Sequence, residues 1–265
     1  MRFGLSSHLF HADPLSEVHL AAIKAHGFDF VEFFATPTHV DYASDAYTAR
    51  VARWLRDTGV LAHSIHAPIT SALKHGAWGD VWSNASTDAA RRQTAVAESA
   101  KAMAFAAAVG ASFAVVHLGV PDGMSTPGPD NDAGALSRSL ASIAAAAGEH
   151  GVTLALEVIP NRLSTPDALL ARLEADPDES GLAGHGVCLD TGHAHMMGGV
   201  IDAVEALGGH LVTTHLHDNA GRRDDHLVPF QGTIDWSMFV MAMEKIGYDG
   251  VWMFEIAAPE GSGPE

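Results

Sequence analysis

The sequence predicts an α/β protein folded as a single (β/α)8 TIM barrel, and three observations predict it. Short runs rich in β-branched and aromatic residues alternate with Ala-rich, helix-favouring stretches eight times within 265 residues. No Gly-rich dinucleotide turn opens the chain, as a doubly wound open sheet would require. Where a strand can be phased, small or polar residues take one face and branched aliphatics the other, the pattern of a closed barrel wrapped by helices.

The predicted strands are residues 2–7, 29–34, 60–66, 112–118, 152–158, 186–190, 211–217 and 250–256. Helices are expected over 15–26, 45–58, 87–109, 134–150, 166–174, 201–208 and 235–246. Thr165-Pro166 is a helix start, and Gly27, Gly59, Gly110, Gly151 and Gly247 follow the last turns of five helices. In the fifth strand Thr153 and Ala155 share the phase of Glu157, with Leu154, Leu156 and Val158 opposite. In the sixth, Gly186 and Cys188 share the phase of Asp190. Residues 119–133 read as a long βα loop. The barrel is expected to span 1–258 and to be followed by a mobile tail at 259–265.

Lys and Arg number 15 against 32 Asp and Glu, a formal charge of −17. That balance argues against nucleic acid and anionic membranes as partners, because a polyanion needs cationic patches. The single cysteine, Cys188, excludes a disulfide framework and a Cys-rich zinc module. No run approaches the roughly 20 apolar residues of a membrane span, and the first residues lack the apolar stretch of a secretory signal, so a cytoplasmic location is expected.

Seventeen histidines are the anomaly. The last inward residues of the strands are His66, His117, Glu157, Asp190, His215 or His217, and Glu255, about one βα unit apart. In a barrel these positions converge on the C-terminal mouth. Acids and imidazoles gathered there stay unsatisfied without a cation, and a divalent metal accepts both ligand types. Asp190-Thr191-Gly192-His193 adds a nitrogen in the next turn, and Asp224-Asp225-His226 lies within reach of the same mouth; Asp225 reads as solvated. The sequence contains no HExxH, no phosphate-cradling GxxxxGK[ST] and no GxSxG elbow. Asp130-Asn131-Asp132 lacks the rest of a calcium loop and reads as a turn.

The ordered set SIHAPI (64–69), VVHLG (115–119), LALEVIPN (154–161), CLDTGHAHMMG (188–198), HLHDN (215–219), DDHLVPFQGTIDW (224–236) and WMFEI (252–256) resembles the xylose-isomerase-like superfamily. It is most similar to the sugar phosphate isomerase/epimerase branch, which is related to endonuclease IV. The resemblance implies a divalent-metal-dependent isomerase or epimerase of a small sugar, a ketose or sugar phosphate, working through an enediolate. It places one Mn2+, Zn2+ or Co2+ on Glu157, Asp190, His215 and Glu255, and acid/base work on Glu157 and Glu255. His66, His193 and Arg222 are implied substrate contacts, and a homodimer is a possible assembly. An endonuclease IV-like phosphodiesterase is the alternative. Its three zinc ions would use His66, His117, His193, Asp224 and His226 as well. An inosose dehydratase-like lyase is a further alternative.

Around this mouth, Trp78 and Trp82 lie in the segment after the third strand, either packed on the rim or forming a lid over substrate. Phe10 and His11, with Phe33 and Phe34, are expected as an apolar wall. Glu32 shares the inward phase of the second strand and is a candidate for a substrate hydroxyl or for a structural hydrogen bond. Met196, Met197, Met238, Met241 and Met243 read as packing residues, and Trp252 as core.

Overall fold

Residues 1–74, 77–175 and 181–258 are described in a computed structural model. The tail expected at 259–265 lies outside the described residues. The chain begins with β1 (Arg2–Ser6), a 3-10 turn (Ser7–Phe10), α1 (Glu17–Ala25), β2 (Phe30–Phe34), α2 (Asp45–Thr58) and β3 (Leu61–His66). A small hairpin, β4 (Leu73–Lys74) and β5 (Ala77–Trp78), precedes α3 (Ala89–Val109), β6 (Phe113–Val116), α4 (Ala133–His150) and β7 (Thr153–Glu157). Next come α5 (Pro166–Leu173), β8 (Gly186–Asp190), α6 (Thr191–Met196), α7 (Val200–Leu207), β9 (Leu211–His215), α8 (Trp236–Lys245) and β10 (Val251–Phe254).

Eight of the strands form one parallel sheet in the order β10-β1-β2-β3-β6-β7-β8-β9. The last gap is bridged just past β9: Leu216 donates its N–H to the Met253 carbonyl and accepts from the Glu255 N–H. The barrel is therefore nearly closed. The helices start where short polar side chains take up free N–H groups: Ser44, Asp88, Asp132, Thr165 and Asp235 each cap one. Asp132 thus ends the 119–133 loop as a helix cap. Asn131 braces that loop by bonding both the N–H and the carbonyl of Val120.

Two apolar layers follow from strand alternation. Leu154, Leu156, Val187 and Leu189 join the large core between barrel and helices, while Val115, Ala155 and Cys188 form a separate small cluster inside the barrel. Trp252 is in the outer layer, against Phe239 and Tyr248. Met243 is buried, but Met238 and Met241 are 47% and 61% exposed and do not pack as expected. They share a polar-facing side of α8 three residues apart, so helical periodicity turns both outward.

Replacing Leu154, fully buried, with Ala should cost about 2–5 kcal/mol in urea unfolding. Met241→Ala should stay within about 0.5 kcal/mol. Equal midpoint shifts for the two variants would contradict this layering.

Candidate metal centre

Glu157, Asp190 and His215 are the last residues of β7, β8 and β9, and Glu255 directly follows β10. Strand alternation turns all four inward, and closure of the sheet brings them together: one ligand atom from each lies within 4.8 Å of the others. None of the four is more than 3% exposed. His66 and His117 form a second donor group with Glu157, and His217, Asp224 and His226 a third.

The imidazoles are oriented as metal ligands would be. At His215, Nε2 donates to Glu32, which leaves Nδ1 facing Glu157 at 3.2 Å, Glu255 at 3.4 Å and Asp190 at 3.9 Å. His66 donates from Nδ1 to the Ala67 carbonyl, and His226 donates from Nδ1 to the Glu255 carbonyl. Each therefore turns Nε2 toward a carboxylate. A carbonyl or carboxylate behind one ring nitrogen fixes the tautomer and aims the other lone pair, the arrangement metal-bound histidines require. Glu157 Oε2 lies 2.9 Å from His117 Nε2 and 3.3 Å from His66 Nε2, yet has no hydrogen-bond partner. Groups that converge without hydrogen bonding fit co-ligands of a cation.

Local sequence builds the rest. Asp190 ends β8 and caps α6, accepting from the His193 N–H, so the helix begins at the ligand itself rather than after a turn. Gly192 leaves room for the His217 ring, which a Cβ at that position would meet. His217 bonds both oxygens of Asp190 through Nε2, and Thr191 braces the backbone on either side of it. The loop carrying Asp224 and His226 is anchored by Asp218, which accepts from the N–H groups of Phe230 and Ile234 and from Trp236 Nε1. Gly232 allows this close approach.

The electrostatics follow from crowding. Burial opposes charge at Glu157, but His117 and His215 outweigh it and hold the carboxyl well below its ordinary range. At His215 burial likewise opposes charge. Cys188, Glu255, Glu32 and Glu157 override it, and the imidazole is raised well above 6.5. His193 is raised by Asp190 and Asp224 against its burial, and His226 is pushed up to about 10, chiefly by Asp224.

Above this floor is a cavity lined on the polar side by His8, His66, His117, Glu157, His193, Asp224, His226 and Glu255. Its apolar side is Phe34, Ile69, Leu73, Trp78, Pro121 and Met124. No lysine or arginine among the described side chains lines it.

Several expectations are corrected here. Glu32 is fully buried beneath His215, bonded to it and to Ser64, and does not reach the cavity as a substrate contact. Arg222 is exposed and absent from the cavity wall, because the loop turns it outward between Gly221 and the inward Asp224. Asp225 is paired with Arg223 rather than simply solvated. Phe10 stacks on His19 and Phe33 meets Phe105 edge-on, away from the cavity, so Phe34 is the wall residue of that set. Trp78 lines the cavity and Trp82 does not. Sequence reading overlooked His8 and the role of His217.

Comparison with known proteins bears on the barrel that carries these residues. The family model described as xylose isomerase-like TIM barrel matches residues 20–265. The uncharacterized protein MJ1311 of Methanocaldococcus jannaschii is 30% identical over 96% of this chain and 83% of its own length. Among solved structures, a D-tagatose 3-epimerase-like protein superposes with a TM-score of 0.77 at 26% identity, covering 97% of this chain and 91% of its own. A D-psicose 3-epimerase solved in the presence of D-fructose superposes at 0.76, with 21% identity over 98% and 86%.

Metal binding to protein stripped by chelator should release protons. His215, His193 and His66 all have raised pKa values, and a coordinating lone pair must first lose its proton. Affinity should therefore rise with pH below those values, by about tenfold per pH unit for each proton displaced. Mn2+ titrations at pH 6, 7 and 8 check this, and a pH-independent affinity would contradict it. From its eight parallel strands and the match over residues 20–265, this chain belongs to the xylose isomerase-like TIM barrel family.

Proposed function

We propose that this protein is a divalent-metal-dependent isomerase or epimerase of a small, uncharged sugar. The observation that carries the reading is the pairing of Glu157 and Glu255 in one buried donor group, beneath a cavity with an apolar wall and, among the described side chains, no lysine or arginine. The likeness to a D-tagatose 3-epimerase-like protein supports the sugar class.

Glu157, Asp190, His215 and Glu255 would hold the cation. When bound, it supplies Lewis-acid charge for a substrate carbonyl and its neighbouring hydroxyl. In this reading, one glutamate removes the proton from the carbon beside the carbonyl, and the other returns a proton from the opposite face or to the neighbouring carbon. These two outcomes are epimerisation and aldose–ketose isomerisation. Glu32 holds the His215 ring in place, and the hydrophobic side of the cavity excludes water from the reacting carbon.

A second reading has its own observation. The donor groups His66-His117-Glu157 and His217-Asp224-His226 offer places for two further cations, as a trinuclear phosphodiesterase would need. The formal charge of −17 and the absence of lysine and arginine from the cavity among the described side chains disfavour a polyanionic substrate.

Glu157→Gln and Glu255→Gln should each reduce solvent deuterium exchange into a turned-over ketose by about 10²–10⁴-fold. Unchanged exchange in both variants would remove the proposed roles. Elemental analysis of purified protein should give one metal per chain. Three zinc ions together with cleavage of an abasic-site oligonucleotide would select the second reading.

A further inference from the structure

We propose that His8 accepts a hydrogen bond from a substrate hydroxyl and so determines which sugars this cavity takes. This rests on the sugar reading above and adds to it a residue that no metal chemistry requires.

His8 sits in the 3-10 turn that follows β1, and Ser7 Oγ ties that turn to the end of β2 by accepting the Phe34 N–H at 2.9 Å. Its ring is clamped in one orientation. It stacks on His11 at 5.0 Å and lies against His226 at 4.8 Å, with the ring of Phe34 edge-on at 4.9 Å. Behind it, Nδ1 is 3.4 Å from the Ile256 carbonyl. A carbonyl only accepts, so the hydrogen of the neutral ring sits on Nδ1, and Nε2 carries a lone pair. Among the described residues Nε2 has no partner, although His8 lines the cavity.

Elimination points the same way. Of the eight polar residues on the cavity wall, six belong to the three donor groups. His193 is occupied at both nitrogens, by the Val158 carbonyl and by Asp224. Among the described residues on the wall, His8 alone belongs to no donor group and keeps a free ring nitrogen. A fixed acceptor suits a hydroxyl, which can donate. It does not suit a phosphate or carboxylate oxygen, which can only accept. His8 therefore selects for a neutral hydroxyl at its position and against an anionic group there.

The test uses Mn2+-loaded protein and calorimetric titration with D-fructose, D-tagatose and D-psicose, then with each monodeoxy analogue of the best-bound ketose. His8→Phe keeps a flat ring in the stack but removes the acceptor, and His8→Gln restores one. His8→Phe should bind the parent ketose about tenfold more weakly, and His8→Gln should recover to within about threefold of the original. For one deoxy analogue, the one lacking the contacted hydroxyl, the original protein and His8→Phe should bind equally. Metal content should be the same in all three proteins.

Equal affinity of the original protein and His8→Phe for the parent ketose overturns the assignment. So does a loss of the same size across every deoxy analogue, or a loss of metal in His8→Phe, which would make His8 a support for His226. If the unaltered protein binds none of the ketoses, the sugar reading itself fails and this inference falls with it.

Discussion

The structure turns on the cost of putting Glu32, Glu157, Asp190 and Glu255, none more than 3% exposed, into the mouth of one barrel. Four buried carboxylates cannot stay charged in such a space without compensating positive charge. The chain supplies imidazoles, and His66, His193, His215 and His226 are each backed by an oxygen behind one ring nitrogen, so that the other points at the acids. Either protons or a cation can then neutralise the cluster, and the two compete for the same lone pairs. The raised His215 and the lowered Glu157 are two sides of this one constraint.

Precision at the mouth depends on supports that never touch the cavity. Glu32 holds His215 from below and is itself held by Ser64, one strand away. Asp218, fully buried, fastens both ends of the long segment between β9 and α8, so Asp224 and His226 are held by a loop with a fixed base. His226 takes a left-handed backbone conformation, φ 47°, which is unfavourable for a residue with a side chain. Its Nδ1 bond to the Glu255 carbonyl and the Ala257 N–H bond to its own carbonyl stabilise that conformation. Strain held at a candidate donor in this way is common where function fixes geometry.

The barrel and its inward acids were legible in the sequence because strand alternation is a local rule: Ala155 and Leu156 go to opposite layers whatever surrounds them. The same rule, applied to the last residue of each strand, located Glu157, Asp190, His215 and Glu255. It failed wherever placement depends on a neighbour. The inward face of Glu32 was readable, but a register shift between Val31 and Glu32 sets it opposite Ser64 and below His215, out of the cavity. His8 lies beyond the end of β1 in a 3-10 turn, where neither the period of two nor that of 3.6 applies. Arg222 matched by residue type alone, and a loop's direction is not encoded in its spacing. The Asp190 cap on α6 had a visible signal in Asp-Thr-Gly-His, since Asp is a favoured N-cap, but the helix is only six residues long and reads as a turn.

One set of donors is compatible with quite different reactions, since neither the barrel nor its ligands dictate what is placed opposite them. In the proposed reading, what distinguishes the reactions is the wall facing the donor groups. Here Ile69, Leu73 and Trp78 come from the segment after β3, and Pro121 and Met124 from the loop after β6. Such a surface gains from contact with the C–H face of a sugar and itself offers no charge to a phosphate. A fixed neutral imidazole at His8 adds the same bias from a third side. In the proposed reading, the βα loops, which supply the apolar wall, bear on the choice of reaction more than the strand ends, which supply the donor groups.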